Sequence, residues 1–578
     1  MTSLIFALLS AAPAPKELNN FVTELLCVSP KRGGTLEFEF TNPRNGWVLL
    51  RSTVEGGEAE LWLDGERIIA YSDEMPSTQE VFRLLSGGVH SLKVICGAGS
   101  QLEQLIVRAI PEILYAKFGY DPWIRPFGPY DRPFLERHVF PYVTTIIGTG
   151  AEAQKPFIAQ WKATGRKWLV ECGVPGLEAR GEEPTISCEE AYKYWAQSPG
   201  FRDPELDGAI VDEFLDGRAN YPAWTEAIRK LAADFPGKLF LPYLGTSGQW
   251  FYTAEAGREF VETVIKQGFK LSWERYLPEQ ATEEEAESAI RRYLGDAVAA
   301  WAEAVPGFQK HLIVCLGVFS CFPLSLSHFP NVDFKVFLDM QLNHLATNPA
   351  FKGVYGIMGW TSGYMDEETV RWLGLLYRHY CLDGRTDLLS KQFGFRYRTD
   401  FIHNPDFELG LEGWEARPAE EGSVKPGKIS SYGWIQGRWP KADRGDSFLI
   451  LKRSDKAPNI VWQEIKGLEP NRLYSLKFVT SDYQAVLGKE EDKEPHAISV
   501  RIEGAEVLKS FQAIVPTRTV QGRFLNFYWF LFRPKGELAK LVVSDWKSEE
   551  EAGGPIGQEL ALNFVEIQPY LADVAMED

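Results

Sequence analysis

The sequence predicts a multidomain protein built on a central (β/α)8 TIM barrel with β-rich blocks on either side. Three observations predict it. The chain has 578 residues, enough for three or four domains at roughly 150 residues each. Its middle alternates short buried-strand runs with amphipathic helical stretches, whereas both ends alternate apolar and polar residues between Gly, Asn and Asp turns. With 45% hydrophobic and 24% charged residues it has ordinary globular composition, which excludes a disordered chain.

Residues 1–16 read as a secretory signal peptide, because an apolar run from Leu4 to Leu9 passes into small residues up to Ala14, although no Lys or Arg precedes it. The expected location is therefore secreted or periplasmic. No other apolar run reaches the roughly 18 residues a spanning helix needs, so no membrane partner is expected. Lys and Arg number 61 against 79 Asp and Glu, a net charge of −18. Such a chain has no overall field to draw in nucleic acid. The seven cysteines include no CxxC, which excludes a disulfide scaffold or zinc ribbon; Cys315 and Cys321 are not expected to pair.

Residues 17–110 form the first block. Thr35–Phe40, Gly46–Ser52, Glu58–Leu63 and His90–Ile95 alternate as strands, with Val81–Leu85 as a further short run. These predict a small antiparallel β-sandwich, and Asp64-Gly65 between two of the runs predicts a hairpin turn.

Residues 111–395 hold eight strand candidates: Leu114–Tyr120, Tyr142–Gly148, Lys167–Val174, Gly208–Phe214, Lys238–Leu244, Phe269–Tyr276, His311–Phe319 and Gly353–Trp360. Helices fall between them. Ser187–Glu190 and Thr282–Glu285 have capping-box spacing, the second opening a helix to about Ala304, and a last helix runs from about Asp366 to about Tyr380. Such alternation means parallel strands joined by crossovers. Eight repeats in about 280 residues match a closed barrel. An open doubly wound sheet would announce a Gly-rich phosphate loop, and neither GxGxxG nor GxxxxGK[ST] stands at a strand–helix junction.

From residue 400 to 573 the strand pattern returns, at Ser447–Lys452, Ile460–Ile465, Leu473–Thr480, Ala497–Ile502, Phe524–Arg533 and Ala539–Ser544. The charged stretch Leu487–Pro495 is expected to be a solvated loop. The opening, Asn404-Pro-Asp-Phe-Glu-Leu-Gly-Leu-Glu-Gly-Trp414, resembles the start of jelly-roll carbohydrate-binding modules of the galactose-binding-like superfamily. That resemblance implies a C-terminal β-jelly-roll, carbohydrate-binding in character, and allows a structural calcium there. Tyr432, Trp434 and Trp439 are candidates for a sugar platform, or equally for core or domain-interface packing.

In a barrel of this kind the reactive groups stand at the carboxyl ends of the strands. The fourth strand ends in Asp212 and Glu213, the sixth carries Glu274, the third ends with Glu171 and the first with Asp121; the eighth ends in Trp360 and the seventh offers no carboxylate. Ionised carboxylates are costly to bury, so acids here are paired, solvated or functional. Eight histidines without HxxxH spacing give no zinc or facial-triad iron site; no metal and no other cofactor is expected. There is no GxSxG elbow. Paired carboxylates with aromatic platforms suit cleavage of glycosidic bonds, one acid protonating the departing oxygen while the other attacks or activates water.

These strand ends make the middle block resemble a (β/α)8 glycoside hydrolase of divergent or unassigned family. An acid ending the fourth strand and a Trp ending the eighth are similar to the retaining clan of cellulases, mannanases and β-galactosidases. There the fourth-strand Glu follows Asn, whereas Glu213 follows Asp212, and the nucleophile ends the seventh strand, where this chain has Gly317-Val-Phe-Ser320. The Asp207-Gly208 and Asp212 spacing is similar to family-eighteen chitinases, but Phe214 stands where their catalytic Glu would be. The α-galactosidase clan also pairs fourth- and sixth-strand acids, both Asp. The implied function is a glycosidase acting on a poly- or oligosaccharide. Strands four and six lie two apart, so Glu213 is expected as general acid/base and Glu274 as nucleophile, or as general base if the enzyme inverts. Asp121, Glu171 and Asp212 are expected on sugar hydroxyls, with Tyr243, Trp273 and Trp360 as platforms.

Plainer readings stand beside these. Asp212 and Glu213 could form salt bridges, Glu274 could pair with Arg275, and the tryptophans could simply pack. Two other functions compete: a non-catalytic carbohydrate-binding or scaffold protein with a degenerate barrel, and a barrel lyase or isomerase acting on a phosphorylated metabolite.

Overall fold

Eight parallel strands close into a barrel: β1 (Glu112–Ala116), β2 (Thr145–Gly148), β3 (Lys167–Cys172), β4 (Gly208–Phe214), β5 (Leu239–Leu244), β6 (Leu271–Arg275), β7 (Leu312–Gly317) and β8 (Gly356–Trp360). The computed structural model describes residues 14–116, 121–178, 183–245, 248–488, 493–518 and 523–572. All but the last three residues of the expected signal peptide lie outside them, as does part of the expected loop at 487–495. Period-two alternation sorts each strand's side chains. Leu114, Ile147, Leu169, Ile210, Leu241, Ile313, Cys315 and Met358 fill the barrel interior. Trp168, Val170, Ala209, Val211 and Phe214 face outward into the packing beneath the helices. Backbones approach closely at Gly208, φ +140°, where a Cβ would lie 2.1 Å from the Leu239 carbonyl oxygen.

The crossovers are α1 (Arg132–His138), α2 (Lys155–Ala163), α3 (Cys188–Ala196), α4 (Tyr221–Asp234) and α5 (Glu255–Lys266), then α6 (Glu283–Ile290), which continues through a π turn into α7 (Asp296–Ala304), and α8 (Phe334–Thr347); α9 (Glu367–Leu376) follows the last strand. Ser187 caps α3 through a complete capping box, and the Thr282 side chain accepts from the Glu285 N–H at the start of α6.

The N-terminal block is a sandwich of a five-stranded and a four-stranded antiparallel sheet around Val48, Leu50, Leu61, Leu92, Val94, Leu105 and Val107. Asp64 and Gly65, both at positive φ, make the tight turn between Ala59–Leu63 and Glu66–Tyr71. The C-terminal block is a second sandwich, of four- and six-stranded antiparallel sheets. Four of its strands carry no expectation from sequence, among them Ala505–Pro516, an edge strand exposed over its first half. The resemblance motif forms a self-bonded loop: the Asn404 amide donates to the Gly410 and Glu412 carbonyls, and Trp414 Nε1 donates to the Asn404 carbonyl at 3.1 Å. All seven cysteines are free. Among the described residues no helix is long and apolar enough to cross a membrane.

The C-terminal sandwich is bound to the barrel at its mouth. The loop after β7 meets the sandwich backbone through Trp439 N–H to Ser325 O and Ser325 N–H to Gly437 O, both 2.8 Å. Behind this contact Lys477 bridges Asp366 (3.0 Å) and Glu566 (2.9 Å), and Lys335 bridges Glu368 and Asp333.

Candidate active site

The chemistry of the mouth begins with a fault in β4. Val211 pairs with Pro242 and Phe214 with Leu244, so β4 holds one residue more than β5 over that interval. The surplus falls at Asp212-Glu213, and Glu213 takes φ +63°, a left-handed conformation that costs a non-glycine residue on the order of 1 kcal/mol or more. In an unbroken strand adjacent side chains face opposite ways. The bulge lets both carboxylates reach the mouth while returning Phe214 to the outer packing, against Trp195, Trp224 and Phe260.

Glu171 and Glu274 arrive by plain alternation, each two residues beyond an inward-facing Leu169 or Ser272 on its strand. The four acids line one cleft of about 700 Å³ with Asp121, Trp123, Arg125, Tyr276, Phe319, Trp360, Tyr364, Trp439 and Arg518. Tyr276 leans over the gap left by β7. At Gly317 a Cβ would lie 2.6 Å from a Leu326 methyl and 3.0 Å from Tyr276, so a side chain there would require these neighbours to shift. The Tyr276 hydroxyl donates to Glu274 Oε1 at 2.6 Å, and its ring packs edge-on to Phe319 and Trp439.

The acids repel one another. Loss of hydration, then the charges of Glu171 and Glu213, pushes Asp212 up to about 7. Burial, then Asp212, pushes Glu274 up to about 8, against the Tyr276 hydrogen bond that favours its ionised form. Desolvation raises Glu171 as well. Among the described residues no group of three or more His, Cys, Asp or Glu is placed to hold a metal ion.

Six of the eight expected site residues line this cleft: Asp121, Glu171, Asp212, Glu213, Glu274 and Trp360. Asp121 is at the rim, ion-paired with Arg125 at 2.9 Å. Two are placed otherwise. Trp273, 1% exposed, faces outward from β6 beneath α7, its ring 6.4 Å from that of Trp301; it has no open face for a sugar. Tyr243 is wholly buried in the barrel interior, donating to Met358 Sδ at 3.3 Å, and supports Trp360 edge-on at 5.0 Å. It is floor, not platform. Arg275 turns outward and donates to the Tyr293 carbonyl at 3.1 Å. Asp207 serves structure, pairing with Lys162 and accepting the Trp168 N–H. Sequence reasoning missed Tyr276, although it stands two residues beyond Glu274 on the same face. It also missed Arg518, which only the tertiary fold brings to the mouth.

No family model matches the chain, and no curated protein does. Solved structures of similar shape are distant. A GH2 β-galacturonidase from Eisenbergiella tayi overlaps 60% of this chain and 89% of its own at 8% identity, TM-score 0.31. Active domain 2 of a Pyrococcus furiosus chitinase overlaps 50% and 98% at 13% identity, TM-score 0.30. A GH31 α-xylosidase from Xanthomonas citri overlaps 61% and 49% at 11% identity, TM-score 0.28. No family follows from overlaps of this size.

Proposed function

We propose that the protein is a glycosidase that hydrolyses a poly- or oligosaccharide in the barrel-mouth cleft. The observation that carries this reading is the cluster of inward carboxylates from β3, β4 and β6, two of them raised to about 7 and 8. Glycosidic hydrolysis needs one carboxyl that still holds its proton near neutrality and a second that attacks or activates water. Burial assigns the first role to Glu274, whose ordinary value is near 4.5, and Tyr276 orients it by occupying Oε1. Glu213, exposed on the bulge, takes the second. This reverses the roles expected from strand order alone. In the forward step the Glu274 proton passes to the glycosidic oxygen as its bond to the anomeric carbon breaks. Glu213, or a water it deprotonates, forms the new bond to that carbon. Trp360 and Trp439 line the cleft where sugar faces would stack, while Asp121, Glu171 and Asp212 are positioned for hydroxyls.

The test is hydrolysis of a polysaccharide and aryl-glycoside panel by the full chain and by Glu213→Gln and Glu274→Gln. Each variant is expected to lose about 10²-fold or more in turnover. With an activated aryl leaving group, which needs little protonation, Glu274→Gln is expected to recover most of its rate and Glu213→Gln none. Near-normal rates in both would overturn the assignment. Gly317, which leaves β7 without a carboxylate, favours the second reading, a carbohydrate-binding scaffold; binding without release of reducing ends would establish it.

A further inference from the structure

Among the described residues, the cleft holds one cation that its acids do not use. Arg518 reaches the mouth from the C-terminal sandwich and lines the cleft opposite the barrel strands. Its guanidinium lies over the Trp434 ring, 4.0 Å from the centroid. Stacking on an aromatic face fixes the plane of a guanidinium without neutralising its charge. Its Nη1 is buried and has no hydrogen-bond partner among the described residues, a costly state for a charged donor. Arg125, the other cation among the described residues of the cleft, is already paired with Asp121. Tyr364 lines the same cleft as Arg518, Glu171 and Asp212. A bound sugar spanning the cleft would therefore present one end to the carboxylates and another to the Nε–Nη2 edge of a planar, singly charged guanidinium, the edge that is not buried.

We infer that Arg518 is a specificity residue for an acidic sugar, binding the C6 carboxylate of a hexuronic acid unit in the substrate. The guanidinium fork matches a planar carboxylate in a bidentate manner. A single charge, with no second unpaired cation beside it among the described residues, fits a monoanionic carboxylate better than a phosphate dianion. The inference rests on the cleft being the sugar site proposed above.

The test compares paired 4-nitrophenyl glycosides of gluco, galacto and manno configuration, each as hexuronide, neutral hexoside and sulfated hexoside, with the full chain and its Arg518→Met and Arg518→Lys variants. The wild type is expected to favour one hexuronide over its hexoside. Arg518→Met is expected to lower that selectivity ratio by about 10²-fold, and Arg518→Lys, which keeps the charge but not the fork, to lower it by less. Preference for the neutral or sulfated sugar, or an equal loss on both members of a pair, would overturn the inference. If no glycoside is cleaved, the hydrolytic reading fails while this one is still decided by calorimetric titration with free hexuronic acids against the matching hexoses. Selective binding of an acid, lost in Arg518→Met, supports it; equal binding or none overturns it.

Discussion

Two sequestered carboxylates of this molecule, Asp366 at the seam and Glu274 in the mouth, behave in opposite ways. At the seam between barrel and C-terminal sandwich, Asp333, Asp366, Glu368 and Glu566 are each 5% exposed or less, yet Lys335 and Lys477 stand between them. Burial works against the charge of Asp366, but Lys477 and the Thr369 bonds outweigh it and hold that carboxyl down to about 2. In the mouth, Asp212 and Glu274 have no such cation among the described residues and rise to about 7 and 8. The difference separates architecture from chemistry. A neutralised acid holds two domains together, whereas an acid left among other acids holds a proton it can give away.

Breaking the seam is expected to destabilise the protein most. Lys477→Met leaves Asp366 and Glu566 buried without their cation and is expected to cost about 3–5 kcal/mol of stability in urea unfolding. In the mouth, losing a carboxylate affects rate instead. Glu274→Gln and Glu213→Gln are each expected to cost about 10²-fold or more in the proposed turnover, and circular dichroism of both is expected to match the wild type.

The stability of Glu274→Gln sharpens the contrast further, with a sign opposite to the seam variant. At pH 4 the wild-type carboxyl is protonated folded and unfolded, and the two proteins are expected to be equally stable. Between about 4.5 and about 8 the unfolded state releases a proton that the native state keeps, so the wild type loses stability as pH rises and the Gln variant does not. By pH 9 the variant is expected to be more stable by on the order of 5 kcal/mol; equal melting temperatures across that range would refute the shift. For the same reason kcat/KM of the wild type is expected to fall along an alkaline limb near pH 8. The smallest effect concerns the bulge. Glu213→Gly relieves the positive φ and is expected to gain about 1 kcal/mol in stability while abolishing turnover.

Much of this architecture is legible in the sequence because it follows from local periodicity. All eight barrel strands, the Asp64-Gly65 turn and the Ser187 and Thr282 caps come from patterns a few residues long. The same rule, applied strictly, would have turned Trp273 away from the mouth, since it is the immediate neighbour of inward-facing Glu274, and would have brought in Tyr276. It could not have given the Asp212-Glu213 bulge, because an inserted residue leaves no mark in a strand whose ends are both apolar. Nor could it have placed Tyr243 beneath Trp360, which depends on height within the barrel. Trp439 and Arg518 come from the far sandwich, and nothing near them in the chain records what they will face.

That last point has a consequence for how such a protein could change. The acids proposed to break the bond and the arginine proposed to choose the sugar belong to separate stretches of polypeptide, joined where the loop after β7 grips Trp439 and at the lysine-bridged seam behind it. Substitutions around Trp434 and Arg518 could redirect the appetite of the cleft while the acids beneath keep their spacing. Diet and reactivity are thus free to drift apart.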